Sequence, residues 1–169
     1  MNSISIIIGN ICSLLAMGTD AISSAQKTAK RVLCVQNISQ LIYCTGTIVL
    51  KGYSGAVQNG VSIVRNFLAI KQISHKWAEW TVVLLGVVLG LWFNNLGWIG
   101  LLPVIANLQY TLAVFRFRDN EWALKISFLI AAVMFGIFNL ALFNFVGLCT
   151  NMAVAGTTAA FLIKSRPSR

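Results

Sequence analysis

Apolar runs fill this chain almost end to end, and positive charge falls in every second gap between them. The seven runs cover 3–23, 32–50, 54–70, 80–94, 96–115, 122–143 and 145–163. A helix rising about 1.5 Å per residue needs ~20 residues to cross ~30 Å of hydrocarbon, so each run is near the required length. The shortest, 80–94, has to stand upright or be sheltered by its neighbours. The pattern predicts an all-α integral membrane protein with seven transmembrane helices. With 57% hydrophobic and 10% charged residues among 169, the chain lacks the polar shell a soluble domain needs. No basic side chain precedes the first run, and Lys27 and Arg31 follow it, which reads as a retained helix and not a cleaved signal.

Basic side chains set the expected orientation. Lys27, Lys30 and Arg31 lie between the first two runs, Lys71 and Lys76 between the third and fourth, and Arg116 and Arg118 between the fifth and sixth. Lys164, Arg166 and Arg169 follow the seventh, whereas the opposite set of ends holds only Lys51. Positive charge stays in the cytoplasm, so the N-terminus is expected outside and the C-terminus inside. Glu79, Asp119 and Glu121 carry little weight in that rule. The net charge of +9 is then mostly topology and attraction to anionic lipid. Scattered among short loops, these charges form no nucleic-acid face.

Cys12, Cys34, Cys44 and Cys149 fall inside apolar runs without a CxxC pair, and His75 stands alone. They read as small packing residues, with neither metal nor cofactor implied. No nucleophile–base pair, paired carboxylates or Gly-rich phosphate loop appears, so an enzyme is not expected.

The chain carries a weak internal echo. Gly55-x-x-x-Asn59 in the third run matches Gly147-x-x-x-Asn151 in the seventh, which sets Tyr53 on Phe145, Ala69 on Phe161 and Ile70 on Leu162. Gly9-Asn10-Ile11 similarly matches Gly97-Trp98-Ile99. The expected plan is a three-helix repeat at 1–71, a cytoplasmic loop and linker helix at 72–95, and a second repeat at 96–169. Two odd-numbered units joined by one extra crossing are parallel, with the solute site of such proteins at the repeat interface near the midplane. Merging 80–115 into one helix would make it about twice the membrane thickness and put Asn94-Asn95 in lipid.

A charge at mid-bilayer costs on the order of 2.5–3.5 kcal/mol, so Arg65 and Asp20 each need an account. They sit at nearly equal depth from the cytoplasmic ends of their helices. Arg65 can pair with Asp20, bind carbonyls or snorkel to the interface; alternatively it holds an anionic substrate or forms part of a cytoplasmic gate. Asn10, Asn37, Asn59, Asn66, Asn107, Asn139 and Asn151 are the other intramembrane polar group, and amides there ordinarily hold helices together. Asn59 and Asn151 stand apart because they occupy matching places, from which a parallel two-fold would face them across its axis. Gly55, Gly60, Gly147 and Gly156 suit close helix contact. Pro103 removes a backbone bond and can hinge its helix. Trp92, Trp98, Trp122 and Tyr53 lie near helix ends, as interfacial aromatics do.

These residues resemble the YgjV-type bacterial inner-membrane proteins over nearly the whole chain. The resemblance is carried by Lys30-Arg31-Val32-Leu33 leading to Gly46, Lys51-Gly52-Tyr53-Ser54-Gly55-Ala56, Asn59, Arg65, Leu101-Leu102-Pro103-Val104-Ile105, Phe138-Asn139 and Asn151. It implies a bacterial inner-membrane location. More remotely, the 3+1+3 plan resembles the SWEET, PQ-loop and nicotinamide-riboside transporter group. There an Asn from the last helix of each half lines the substrate site, which matches Asn59 and Asn151 by position. This chain departs from the SWEET pattern in having one intramembrane proline and no Trp in its second helix. The expected function is a transporter or facilitator of a small polar solute, with Asn59, Asn151 and Asn139 binding, Arg65 and Asp20 as gate or ion pair, and Pro103 as hinge. The alternative is a non-transporting scaffold or accessory subunit. The lipid bilayer is a partner in either case, and a homo-oligomer stays open.

Overall fold

The computed structural model describes residues 2–24, 26, 28–73, 75–117 and 120–164. Among them are seven helices and no strand: α1 (Ser3–Ser24), α2 (Ala29–Val49), α3 (Tyr53–Ile70), α4 (Lys76–Trp92), α5 (Trp98–Arg116), α6 (Glu121–Ala141) and α7 (Phe145–Lys164). Each corresponds to one apolar run. Of the basic residues used for orientation, Lys27, Arg118, Arg166 and Arg169 lie outside the described residues, as does Asp119. Lys30 and Arg31 fall in the first turn of α2, Lys76 opens α4 and Arg116 closes α5, so these charges ride on helix ends and not in the gaps.

Side-chain caps fix several boundaries. Thr28 accepts a hydrogen bond from the Arg31 amide at 3.4 Å, Asn120 accepts from Ala123 N at 3.0 Å and Asn144 accepts from Gly147 N at 3.0 Å. Each satisfies one amide that the first turn leaves without a partner. Between α4 and α5 the chain breaks at 93–97, where Gly97 takes φ +57 and Asn94 bonds its own turn. The single merged helix is thereby excluded.

The helices pack in a closed order. α1 packs on α2, α2 on α3, α3 on α5, α5 on α6, α6 on α7 and α7 back on α1. In this ring α1 stands opposite α5, α2 opposite α6 and α3 opposite α7. The seventh member, α4, lies outside against α3 and α5. It contributes Val82, Val83, Gly86 and Gly90 to the interior.

The molecule is apolar outside and mixed within. Exposed side chains include Ile7, Leu14, Leu41, Phe67, Leu84, Leu91 and Ile137, whereas Ser39, Ser54, Gln58, Thr111 and Asn144 are buried beside small alanines. Water would reverse that distribution; lipid favours it. Trp92, Trp98, Trp122 and Tyr53 are exposed at helix ends, as expected of interfacial aromatics. Three helices, over Ser3–Ser23, Trp122–Ala141 and Phe145–Lys164, are long and apolar enough to cross a membrane.

Three helices end alike, at Lys51, Gln72 and Phe143, and the first and last of these corners are held from elsewhere in the chain. Lys51 ends α2 with φ 59, Gly52 N donating to Thr47 C=O at 2.8 Å and Lys51 N to Ile48 C=O at 2.9 Å. Phe143 ends α6 with φ 56, Asn144 N donating to Asn139 C=O at 2.9 Å and Phe143 N to Leu140 C=O at 3.0 Å. Both are Schellman caps with a non-glycine residue in the left-handed position, a conformation that costs roughly 1–2 kcal/mol. Each is also gripped by an asparagine from elsewhere in the chain. Asn95 Nδ2 donates to Lys51 C=O at 2.7 Å, and Asn10 Nδ2 donates to Phe143 C=O at 3.0 Å.

Asn10 additionally accepts from Val146 N at 3.0 Å, which satisfies an amide in the first turn of α7. Asn10→Ala strands that amide and the Phe143 carbonyl, and about 1–2 kcal/mol of stability is expected to be lost. Thermal unfolding in detergent checks this; a midpoint unchanged from wild type would mean that solvent or lipid headgroups replace both bonds.

Glycine roles divide. Gly55 abuts Phe138, and a Cβ there would come within 2.5 Å of the Phe138 ring; Gly147 is similarly closed in by Asn139 and Asn144. Gly60 and Gly156 have nothing within 4 Å of such a Cβ, so they do not mediate helix contact as their spacing suggested. Cys34 and Cys149 are exposed, correcting the expectation that all four cysteines pack in the interior. Cys44 fits it, being half-buried with its thiol directed at Ala56 C=O at 3.5 Å.

Candidate functional site: a central cavity walled by six helices

The ring encloses a cavity of about 260 Å³ walled by all six of its helices and by none of α4. Of the residues singled out from sequence, Asp20, Asn59, Arg65, Asn139 and Asn151 all line it. Pro103 does not; it is fully buried inside α5. Asn37 and Asn66 also lie outside the wall, Asn10 holds the α7 corner, and Asn107 lines the cavity while belonging to an interhelical network.

The asparagines differ in how much of each amide is committed. Asn151 Nδ2 donates to Gly147 C=O in its own helix at 2.8 Å, which leaves its oxygen open to the cavity. Asn139 accepts from Asn144 Nδ2 at 2.8 Å and keeps its own amino group available. The Asn59 side chain is partly buried and makes no hydrogen bond among the described residues. An amide in a low-dielectric bundle normally finds a partner on a neighbouring helix, so an uncommitted one pointing into a cavity is costly without a ligand or water.

The charged pair is the clearest departure from the sequence reading. Asp20 and Arg65 share the cavity, but no ion pair joins them. Asp20 instead accepts a hydrogen bond from the Ser39 hydroxyl of α2, with Tyr43 of the same helix as a polar neighbour. Arg65 Nη1 donates to Asn107 Oδ1 at 3.4 Å, and its guanidinium carbon stands 5.7 Å from the centre of the Tyr110 ring. A cation over an aromatic face gains up to ~2 kcal/mol when desolvated, which explains how Arg65 is tolerated without a carboxylate. Equal depth along two helices did not decide pairing, because Asp20 and Arg65 point to different neighbours.

Several cavity-lining and interhelical positions carried no motif. Gln40, Tyr43, Tyr110 and Asn144 line the cavity. Gln58, 1% exposed, donates to Gly86 C=O of α4 at 2.8 Å and accepts from Asn107 Nδ2 of α5 at 2.8 Å. It therefore ties α4, α3 and α5 together and, through Asn107, positions Arg65. Gln109 and Ser127 bond reciprocally between α5 and α6, at 2.5 Å through the hydroxyl and 2.8 Å through the Ser127 carbonyl. A polar residue inside an apolar run was the available signal for each.

Phe138, which lines the cavity, joins an apolar cluster with Leu50 and Leu142, backed by Leu96 and Leu102. The Phe138 ring reaches across from α6 onto Gly52 and Gly55. Among the described residues no three His, Cys, Asp or Glu side chains gather as a metal-binding set.

An apolar-faced helical bundle around a central cavity defines an integral membrane protein. The chain belongs to the Imp-YgjV family of bacterial inner membrane proteins, whose family model matches residues 7–166. Its place is accordingly the bacterial inner membrane. Compared with curated proteins and with solved structures, the chain matches none.

Proposed function

We propose that this protein is an inner-membrane transporter or facilitator of a small polar solute, which it binds in the central cavity between two three-helix repeats. The observation that carries the reading is the uncommitted amide of Asn59 sharing one cavity with Asn151, each from the last helix of its half.

The repeat plan of 1–71 and 96–169, linked through 72–95, is supported by the packing order. Exchanging α1, α2 and α3 for α5, α6 and α7 maps every contact of the ring onto another. At the offset that sets Gly55 on Gly147, Tyr43 falls on Phe135, Thr47 on Asn139 and Asn59 on Asn151, and all six line the cavity. The same offset sets Lys51 on Phe143, two of the three left-handed non-glycine corners, the third being Gln72 at the end of α3. In this reading all seven helices cross the bilayer, with the N-terminus outside. Their lipid faces are apolar even in α2 and α3, whose polar residues turn inward. Pro103 leaves one carbonyl of α5 without its helical partner and serves as the hinge.

The second reading is a scaffold. It is favoured by the Gln58–Asn107 and Gln109–Ser127 bonds, which join helices and need no solute to explain them. The two readings separate on the cavity itself. Purified protein is screened by thermal shift against sugars, nucleosides, amino acids and small organic acids, since a ligand at a hundred times its Kd adds about 2.7 kcal/mol. A hit that is lost in Asn59→Ala/Asn151→Ala, with the unliganded midpoint kept within a few degrees, is the expected result. A single Asn59→Cys that no water-soluble thiol reagent reaches, together with a screen empty of hits, would sink the transporter reading in favour of the scaffold.

A further inference from the structure

We propose that the solute of the central cavity carries a carboxylate, which docks on Arg65. This rests on the reading of the cavity as a solute site and narrows the class of solute it takes.

Arg65 offers five N–H donors in a planar fork. The protein engages one of them, weakly, at 3.4 Å from Asn107 Oδ1. The Tyr110 ring supports the cation from one side and supplies no acceptor oxygen to the fork. No carboxylate pairs with it, and the one acid in the wall, Asp20, is engaged by Ser39 and Tyr43. A partly buried guanidinium with most donors facing a cavity is the complement of an anion with two coplanar oxygens.

The rest of the wall restricts that anion further. Arg65 is the single Lys, Arg or His among the cavity's lining residues. One cation balances a singly charged group; a phosphate near its second ionisation would bring nearly two charges into a compartment already holding Asp20. Gln40 and Asn59 present amides without protein partners, suited to hydroxyl or amino groups on the remainder of the solute. A cavity of about 260 Å³ has room for a small organic acid. Hydroxy acids and amino acids share the carboxylate; an amino group would add a contact to Asp20.

The test uses the full-length protein in nanodiscs at neutral pH, titrated with lactate, alanine, xylose and inorganic phosphate by calorimetry. Lactate or alanine is expected to bind while xylose and phosphate do not. Affinity should fall at least a hundredfold in Arg65→Gln and less in Arg65→Lys, which keeps the charge and loses the fork. Alanine weakened by Asp20→Asn, with lactate unchanged, identifies the amino acid as the source of the carboxylate; lactate equal to or tighter than alanine identifies the hydroxy acid. Xylose or phosphate bound in preference to both acids overturns the proposal and leaves the solute site standing. Equal binding of the acids to wild type and Arg65→Gln also overturns it. So does the absence of binding by either acid to a protein whose Asn59→Cys is water-accessible. Should Arg65→Gln not fold, selectivity of the wild-type protein among the four probes decides alone. An inaccessible Asn59→Cys with no probe bound removes the underlying solute reading instead.

Discussion

Phe138→Ala is expected to lower stability by about 2–3 kcal/mol, the largest loss from any single truncation in the bundle. Its ring is 2% exposed, forms the apolar cluster with Leu50 and Leu142, and lies against Gly52 and Gly55. Truncating a buried Phe in a water-soluble core costs about 3–5 kcal/mol, part of it transfer from water and part the hole left behind. Within a bilayer the transfer part fades, since separated helices would find lipid and not water. Lost van der Waals contact remains, because the glycine backbones cannot collapse into the gap without moving α3. Reversible unfolding in mixed micelles measures the difference. A change below ~0.5 kcal/mol would show that the ring is not packed as described. The same variant should widen the cavity beside Phe138, one of its lining residues, and raise thiol-reagent access to Asn59→Cys.

Gln58→Leu is expected to cost about 1–3 kcal/mol, although leucine suits a membrane helix better than glutamine. Its amide makes two interhelical bonds at 2.8 Å, and such bonds are worth about 0.6–2 kcal/mol each in membrane proteins. The larger part comes from what is stranded: Asn107 Nδ2 loses its acceptor within a buried interface. Gln58→Leu combined with Asn107→Leu should therefore cost less than the two single changes added together. Additive losses would mean that the two amides act independently. Because Asn107 is the acceptor for Arg65, both single variants should also weaken any anion bound in the cavity.

A good deal of this was legible in the chain. All seven helices appear where apolar runs predict them, since length and hydropathy are local properties. Asp20, Asn59, Arg65, Asn139 and Asn151 could be selected because a polar residue in an apolar run is expensive, and cost is visible residue by residue. Their convergence on one cavity follows from the ring. Gly60 and Gly156 show the limit of spacing arguments: both lie at helix-contact intervals, yet each faces open space because the helix is rotated otherwise. Cys34 and Cys149 misled for the same reason.

By itself, then, the sequence determined an all-helical protein of the bacterial inner membrane, the boundaries of its helices to within a few residues, and which polar side chains demand an explanation. Only the tertiary structure decided who partners whom. Asp20 turns to Ser39 and Tyr43 while Arg65 turns to Asn107 and Tyr110, Gln58 locks three helices, and Phe138 packs on Leu50 and Leu142 at the cavity wall. The physical reason is that hydropathy measures the cost of a residue in lipid one position at a time, whereas partnership depends on each helix's rotation about its axis. That rotation is fixed by packing between segments far apart in the chain.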